Sequence, residues 1–132
     1  MSLDIGCTGT AFGGKNAWEE LLDFVETYFS HSSAAAATDL KARVHQTSRP
    51  PIFLQRPNHS LTIIGVERSR SGKRGLLTFD PAWRPPSAMR GSLLELRCSG
   101  WTARWVLARY GKSERYLKRY GNFETLTMDQ IA

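Results

Sequence analysis

The sequence predicts an α+β fold in which helices pack against an antiparallel sheet. Apolar residues recur at helical spacing over residues 17–29, which is typical of a helix with one buried face. Two strand-like runs, 60–67 and 75–79, flank a polar, glycine-bearing segment, which favours a β-hairpin. With 132 residues, the chain is one domain or part of one, and a complete domain of this size buries roughly two-thirds of its unfolded surface.

The N-terminal quarter predicts one well-defined helix. Residues 1–14 are rich in glycine and threonine, and we expect them to be irregular. Asn16 is placed to cap the helix over 17–29, with Glu19 positioned for a capping box. We interpret the apolar face of this helix as core. Residues 30–38, which include four consecutive alanines, either extend the helix or form an insertion loop, and a short helix over 39–44 is expected next.

Three strands follow in the middle of the chain. Pro50 and Pro51 exclude a helix and begin a strand over 52–55. The next strand, 60–67, contains the nearly continuous apolar run 61–66, which predicts burial on both of its faces. Its partner is the strand 75–79, in a hairpin centred near Ser69 and Arg70.

The remaining segments predict a rigid loop, two helices and a last strand. Prolines stiffen residues 81–86, and we interpret Trp83 as a cover for the end of the sheet. Periodicity does not decide between helix and strand for 92–97. Helices are expected over 101–110 and 113–120, each stopped by a glycine, and a strand over 123–128.

His59 and Asp80 are the candidate catalytic residues. In the predicted hairpin they fall almost opposite each other at its open end, where side chains meet across the two strands. A carboxylate in that position orients an imidazole, as in a nucleophile–His–Asp triad. A surface ion pair of little energetic value is the alternative. The apolar strand after His59, and Pro81 directly after Asp80, favour a site held at the ends of a buried scaffold.

Three runs around these residues resemble a known family. They read Pro-Pro-Ile-Phe-Leu-Gln from residue 50, His-Ser-Leu-Thr-Ile-Ile-Gly-Val-Glu from residue 59 and Leu-Leu-Thr-Phe-Asp-Pro from residue 76. This block is similar to the papain-like cysteine peptidases that specifically process ubiquitin-fold modifiers and to the zinc-finger deubiquitinase related to them, with fungal-type members as the best match. Residues 18–29 and 116–126 extend the resemblance more weakly.

The resemblance implies a fold, an activity and two residue roles. It implies the C-terminal half of a papain-like domain, whose antiparallel sheet carries the catalytic histidine, here His59, and the catalytic aspartate, here Asp80. The implied reaction is thiol-dependent hydrolysis of the peptide or isopeptide bond after the C-terminal glycine of ubiquitin or a ubiquitin-like modifier. The implied partner is that modifier, and no cofactor is needed.

The nucleophile that the resemblance requires is not expected in this chain. In the family the cysteine begins a helix far upstream of the histidine, and only 58 residues precede His59. Cys98 follows Asp80, which is the wrong order, and Cys7 lies between glycines and threonines that indicate a loop, without the helix N-terminus that stabilises a thiolate. We therefore expect residues 1–132 to be the C-terminal part of a catalytic domain, inactive by itself.

Composition leaves a binding module as the alternative. The net charge is +6, from 18 Lys and Arg against 12 Asp and Glu, and basic residues cluster at 68–74 and 104–119. Such clusters bind nucleic acid or acidic proteins, although a solvated face explains each of them more simply. A fragment of this family could also bind a ubiquitin-like protein without cleaving it. Two cysteines without framework spacing indicate an intracellular protein, and we expect no metal site, membrane span or signal peptide.

Overall fold

A computed structural model describes residues 5–30, 45, 47–82 and 110–130, and within these the predicted α+β class is confirmed. The elements in chain order are β1 (Ile5–Gly13), α1 (Ala17–Ser30), β2 (Ile52–Arg56), β3 (His59–Arg68), β4 (Arg74–Phe79), β5 (Gly111–Ser113), α2 (Glu114–Leu117) and β6 (Asn122–Gln130).

The six described strands form one antiparallel sheet in the order β1-β6-β2-β3-β4-β5. The strand β6 therefore lies between β1 and β2, far from both in sequence. At the other edge, the short strand β5 pairs with β4, with Lys112 opposite Leu76. This pairing brings the segment before α2 beside the β3–β4 hairpin, where the candidate site lies.

The core lies between α1 and one face of the sheet. The helix buries the apolar face that the sequence predicted, and β2, β3 and β4 contribute the alternate residues that point toward it. The buried apolar residues are Phe12, Ala17, Leu21, Leu22, Val25, Tyr28, Phe29, Ile52, Leu54, Leu61, Ile63, Leu76, Leu117 and Phe123. Leu117 is the residue by which α2 joins this core.

The N-terminal segment is a strand, so the prediction of irregular structure over 1–14 is wrong for residues 5–13. All nine residues of β1 pair with β6. The hydroxyls of Thr125 and Thr127 on β6 also donate to the carbonyls of Thr10 and Thr8. The ladder to a distant strand, which local composition does not reveal, determines the structure here.

The hairpin forms as predicted, with two corrections. Its turn is centred near Ser71, because Arg68 pairs with Arg74 and Gly72 adopts a positive φ of 85°. The strand β3 is not buried on both faces: Leu61 and Ile63 are buried whereas Thr62 and Ile64 are only half-buried. Helix α1 covers the first pair, and the opposite face is more open.

Seven other predicted segments have different outcomes. The strand predicted over 52–55 and that predicted over 123–128 are confirmed as β2 and β6. The helix predicted over 113–120 is confirmed in part, since α2 ends at Leu117 while Ser113 caps it by accepting the N–H of Tyr116. The other predictions fall on residues that the structure does not describe: the helix over 39–44, residues 83–86 of the proline loop, the segment 92–97 and all but the last residue of the helix over 101–110.

Candidate active site

His59 and Asp80 lie on adjacent antiparallel strands and their side chains meet. The Nε2 atom of His59 is 2.7 Å from Oδ1 of Asp80. The last ladder pair is Thr62 with Phe79, so continuation of the ladder would place Asp80 opposite Leu61. His59 is then its diagonal neighbour on the same face, at a separation that long side chains bridge. The register differs from the predicted one, yet the predicted contact is formed.

Asp80 is held by three groups from three parts of the fold. Its Oδ1 accepts the N–H of Ala82 at 2.9 Å as well as the contact from His59. Its Oδ2 lies 3.9 Å from Nζ of Lys112 on β5. Burial by itself raises the pKa of Asp80, but the Ala82 N–H, the His59 hydrogen bond and charge, and the Lys112 ammonium together lower it below its usual value. The carboxylate is therefore ionised at neutral pH.

The second imidazole nitrogen of His59 is the one placed to serve a nucleophile. Since Nε2 is bound to the Asp80 carboxylate, the neutral ring carries its proton there and presents Nδ1 as the acceptor. Among the described residues no hydrogen bond to Nδ1 is formed. The His59 side chain is 21% exposed, so a partner can still approach this ring.

Cys7 is too far from His59 to be that partner. It is exposed on β1, and β6 and β2 separate β1 from β3. Three strand spacings amount to about 14 Å, whereas a nucleophile must lie within hydrogen-bond reach of its base. Cys98 and His31 lie outside the described residues, and His45 is exposed.

A sequence profile described as peptidase family C78 matches residues 1–126. The chain belongs to peptidase family C78. The predicted resemblance to papain-like cysteine peptidases of ubiquitin-like modifiers is thereby confirmed, while the fungal-type assignment stays a prediction. The match includes β1, α1 and the whole described sheet up to Leu126, so the relationship extends well beyond the three runs that first indicated it.

Curated relatives of this C78 chain share the name zinc finger-containing ubiquitin peptidase 1. The mouse protein is 34% identical over 61 residues, the rat protein 32% over 69 and the crab-eating macaque protein 36% over 61. These matches cover 46%, 52% and 46% of this chain. They cover only 10%, 11% and 10% of the respective relatives, so the chain spans a small part of the length of those proteins.

A group of cations and tyrosines beside the candidate site was missed by sequence reasoning. Arg56 pairs with His59 in the β2–β3 ladder, and its Nε donates to the hydroxyl of Tyr116 at 2.7 Å. Its guanidinium also lies 4.4 Å from the ring centre of Tyr120. Burial raises the pKa of Tyr116, and the bond from Arg56 offsets part of that effect. The spacing of the two tyrosines by one helical turn was the available signal, but nothing local linked them to Arg56.

An apolar groove lies on the open face of the sheet, beside the end of β4. It has a volume of about 190 Å³ and is lined by Phe53, Thr62, Phe79 and Pro81 beside the aspartate. Phe53 and Phe79 are 45% and 52% exposed. Gln55, which the sequence left outside the site, is exposed on β2 and lines a neighbouring groove.

In the described residues no three His, Cys, Asp or Glu side chains are grouped as a metal site would require. No helix in the same part of the chain has the length and apolar character needed to cross a membrane.

Proposed function

We propose that this chain is the histidine- and aspartate-bearing part of a papain-like thiol peptidase domain that cleaves ubiquitin or ubiquitin-like modifier conjugates. The observation that carries the proposal is the 2.7 Å contact between Nε2 of His59 and Oδ1 of Asp80 in a chain of family C78. A half-buried, ionised carboxylate bound to one imidazole nitrogen is what a cysteine peptidase needs to hold its base in the correct tautomer.

His59 acts as the base and acid of the proposed reaction. Its Nδ1 takes the proton of a cysteine thiol, and the thiolate attacks the carbonyl after the modifier's C-terminal glycine. The resulting imidazolium donates that proton to the leaving amine, and a water molecule then hydrolyses the thioester. Asp80 stays ionised throughout and stabilises the imidazolium. None of these steps needs a metal or an organic cofactor.

The cysteine that completes this site is proposed to come from a part of the protein outside residues 1–132. The distance across the sheet argues against Cys7, and the position of Cys98 after Asp80 differs from the order expected in the family. The chain by itself is therefore proposed to be inactive. Loss of the nucleophile in a comparable serine protease reduces the rate by about 10⁶.

Covalent labelling tests this proposal. The probes are ubiquitin and a ubiquitin-fold modifier, each with an electrophile at its C-terminus. Residues 1–132 alone should not be labelled, whereas the same reading frame expressed with its upstream coding sequence should be labelled at an upstream cysteine. In that longer protein, His59→Ala should reduce labelling about 100-fold or more. Labelling of the short chain that disappears in Cys7→Ala would contradict the assignment.

A modifier-binding module is retained as the second candidate because of the open apolar face of the sheet, on the side opposite the His59 and Asp80 side chains. Phe53 and Phe79 are exposed on it, and binding there would not need a nucleophile. Binding of unmodified ubiquitin or a ubiquitin-like protein by a longer protein that the probes fail to label would favour this candidate. Nucleic-acid binding is less well supported, since Arg68 and Arg74 are in ion pairs with carboxylates of α1.

A further inference from the structure

The second oxygen of the Asp80 carboxylate has a cationic neighbour of its own. Oδ1 accepts both hydrogen bonds, from His59 and from Ala82. Oδ2 faces Nζ of Lys112 at 3.9 Å, and the side chains of Lys112 and Asp80 are only 17% and 18% exposed. A carboxylate turns about its Cβ–Cγ bond, so a positive charge beside one oxygen favours the orientation in which the other oxygen points at the imidazole.

The backbone of β5 and one aromatic ring place Lys112. In the ladder between β4 and β5, Lys112 pairs with Leu76. Just before β5 begins, the N–H of Thr78 donates to the carbonyl of Tyr110 at 2.7 Å. The ammonium also lies 4.8 Å from the ring centre of Tyr116 on α2, a distance at which a cation is attracted by the ring. Strand β5 and helix α2 therefore hold the Lys112 side chain beside the Asp80 carboxylate.

Arg56, a second cationic side chain of this region, has partners other than Asp80. Arg56 on β2 donates from Nε to the Tyr116 hydroxyl and from Nη1 to the carbonyl of Pro57, and it lies over the ring of Tyr120. Within the described residues, the ion pairs of Asp80 are those with His59 and Lys112. Lys112 is thus the group that distinguishes one carboxylate oxygen from the other by charge.

We propose that Lys112 is a positioning residue for the Asp80–His59 pair, whose ammonium attracts Oδ2 and so keeps Oδ1 directed at Nε2 of His59. Its importance for catalysis rests on the proposed function, but the orientation of the carboxylate is a property of the chain itself. The proposal is therefore tested on the isolated chain, without any peptidase activity.

The measurement is the ¹⁵N-resolved Nε2–H proton of His59 and its exchange with solvent. In the wild-type chain this proton should be visible and protected by Asp80. Lys112→Met keeps the apolar stem over Tyr116 but removes the charge, and it should speed exchange about fivefold, as expected for an interaction near 1 kcal/mol. Lys112→Arg should restore the protection.

Lys118→Met is the matched control. Lys118 is exposed on the segment after α2, and its ammonium also lies over an aromatic ring, 4.7 Å from the ring centre of Trp18. Its removal should leave the His59 proton unchanged. Equal exchange in the wild type and Lys112→Met would overturn the proposal, and so would a loss of protection that Lys112→Arg fails to restore in a folded chain.

A second measurement on the wild type covers the case in which Lys112→Met does not fold. As the pH falls and Asp80 takes up a proton, the ¹⁵Nζ signal of Lys112 should shift with it, while that of Lys118 should not. A Lys112 signal that does not shift as Asp80 is protonated would overturn the proposal. Failure of the probe labelling above, with both NMR results as expected, would reject the peptidase activity and leave the positioning role intact.

Discussion

At the scale of single residues, the candidate site depends on a diagonal pair of side chains. A directly opposed histidine and aspartate would need the hairpin register that the sequence predicted. The observed turn shifts the register, and the length of the imidazole side chain compensates, so that Nε2 still reaches Oδ1. The identity of the two residues was predictable because they flank the hairpin strands, whereas their relative placement depended on the turn.

Asp80→Asn tests the charge of this pair through the pH dependence of stability. The pKa of Asp80 is lowered in the folded chain, so its ionisation contributes stability above the unfolded pKa of about 3.9, and this contribution is lost as the pH falls through the folded pKa. The variant should be less stable than the wild type by about 1–2 kcal/mol at pH 7. This difference in the free energy of unfolding between variant and wild type should narrow in acid, as measured by urea unfolding at pH 7 and at an acidic pH.

Glu124→Gln is the control for the Asp80 prediction. Glu124 is a carboxylate at an exposed position of β6, and its neutralisation should change stability by no more than about 0.5 kcal/mol at any of these pH values. A constant gap between wild type and Asp80→Asn from neutral pH into acid would contradict the ionised pair.

At the scale of elements, the hairpin is joined to α1 by a small group of charges. Nη1 of Arg74 contacts Oδ1 of Asp23 at 2.5 Å and Oε2 of Glu26 at 3.0 Å, and Arg68 contacts the other oxygen of Glu26. Burial raises the pKa of Glu26, but the hydrogen bonds and charges of the two arginines lower it below its usual value. The two arginines differ in exposure, 14% for Arg74 and 56% for Arg68.

This difference predicts unequal effects of two similar substitutions. Arg74→Ala removes charged hydrogen bonds from a nearly buried side chain and should lower the free energy of unfolding by about 2 kcal/mol. Arg68→Ala removes an exposed ion pair and should cost at most about 0.5 kcal/mol. Urea unfolding of both variants gives the comparison, and any cost of Arg68→Ala should vanish near 1 M salt because exposed pairs are screened. An equal loss of unfolding free energy in the two variants would show that the exposure of each arginine does not determine how much it contributes to stability.

The elements also show which parts of the fold local sequence predicts. Helix α1 has its apolar periodicity within 14 residues, and its prediction was correct. Strand β1 has few large apolar residues, with Phe12 as its buried anchor, and its ladder partner β6 begins only at Asn122. A pattern within the segment does not reveal such a partner. For the same reason the sequence predicted His59 and Asp80, which one hairpin joins, but not Arg56 and Lys112, which reach them from β2 and β5.

At the scale of the whole molecule, the two faces of the sheet differ in how they are covered. Helix α1 and Leu117 of α2 bury one face. On the other face, a row of directly paired residues crosses β6, β2, β3 and β4. The row consists of Leu126, Phe53, Thr62 and Phe79. Three of these four are large apolar side chains, between 43% and 52% exposed, and contiguous exposed apolar surface of this kind is uncommon on soluble monomers.

The open row predicts the solution behaviour of the chain expressed alone. We expect it to bind a hydrophobic dye and to self-associate as its concentration rises, because association removes apolar surface from water. The double variant Phe53→Thr with Leu126→Thr should reduce both effects. Threonine has the β-branched shape that suits a strand, so the free energy of unfolding should change by less than about 1 kcal/mol.

Dye fluorescence, sedimentation and urea unfolding separate this effect from general destabilisation. Leu54→Thr is the matched control, since Leu54 lies between Phe53 and Gln55 on the same strand but points into the core with no exposed surface. It should lower stability by roughly 2 kcal/mol or more and increase dye binding as the chain loosens. A wild-type chain that stays monomeric, melts cooperatively and binds no dye would contradict the prediction, and it would favour a self-sufficient domain over one part of a larger catalytic unit.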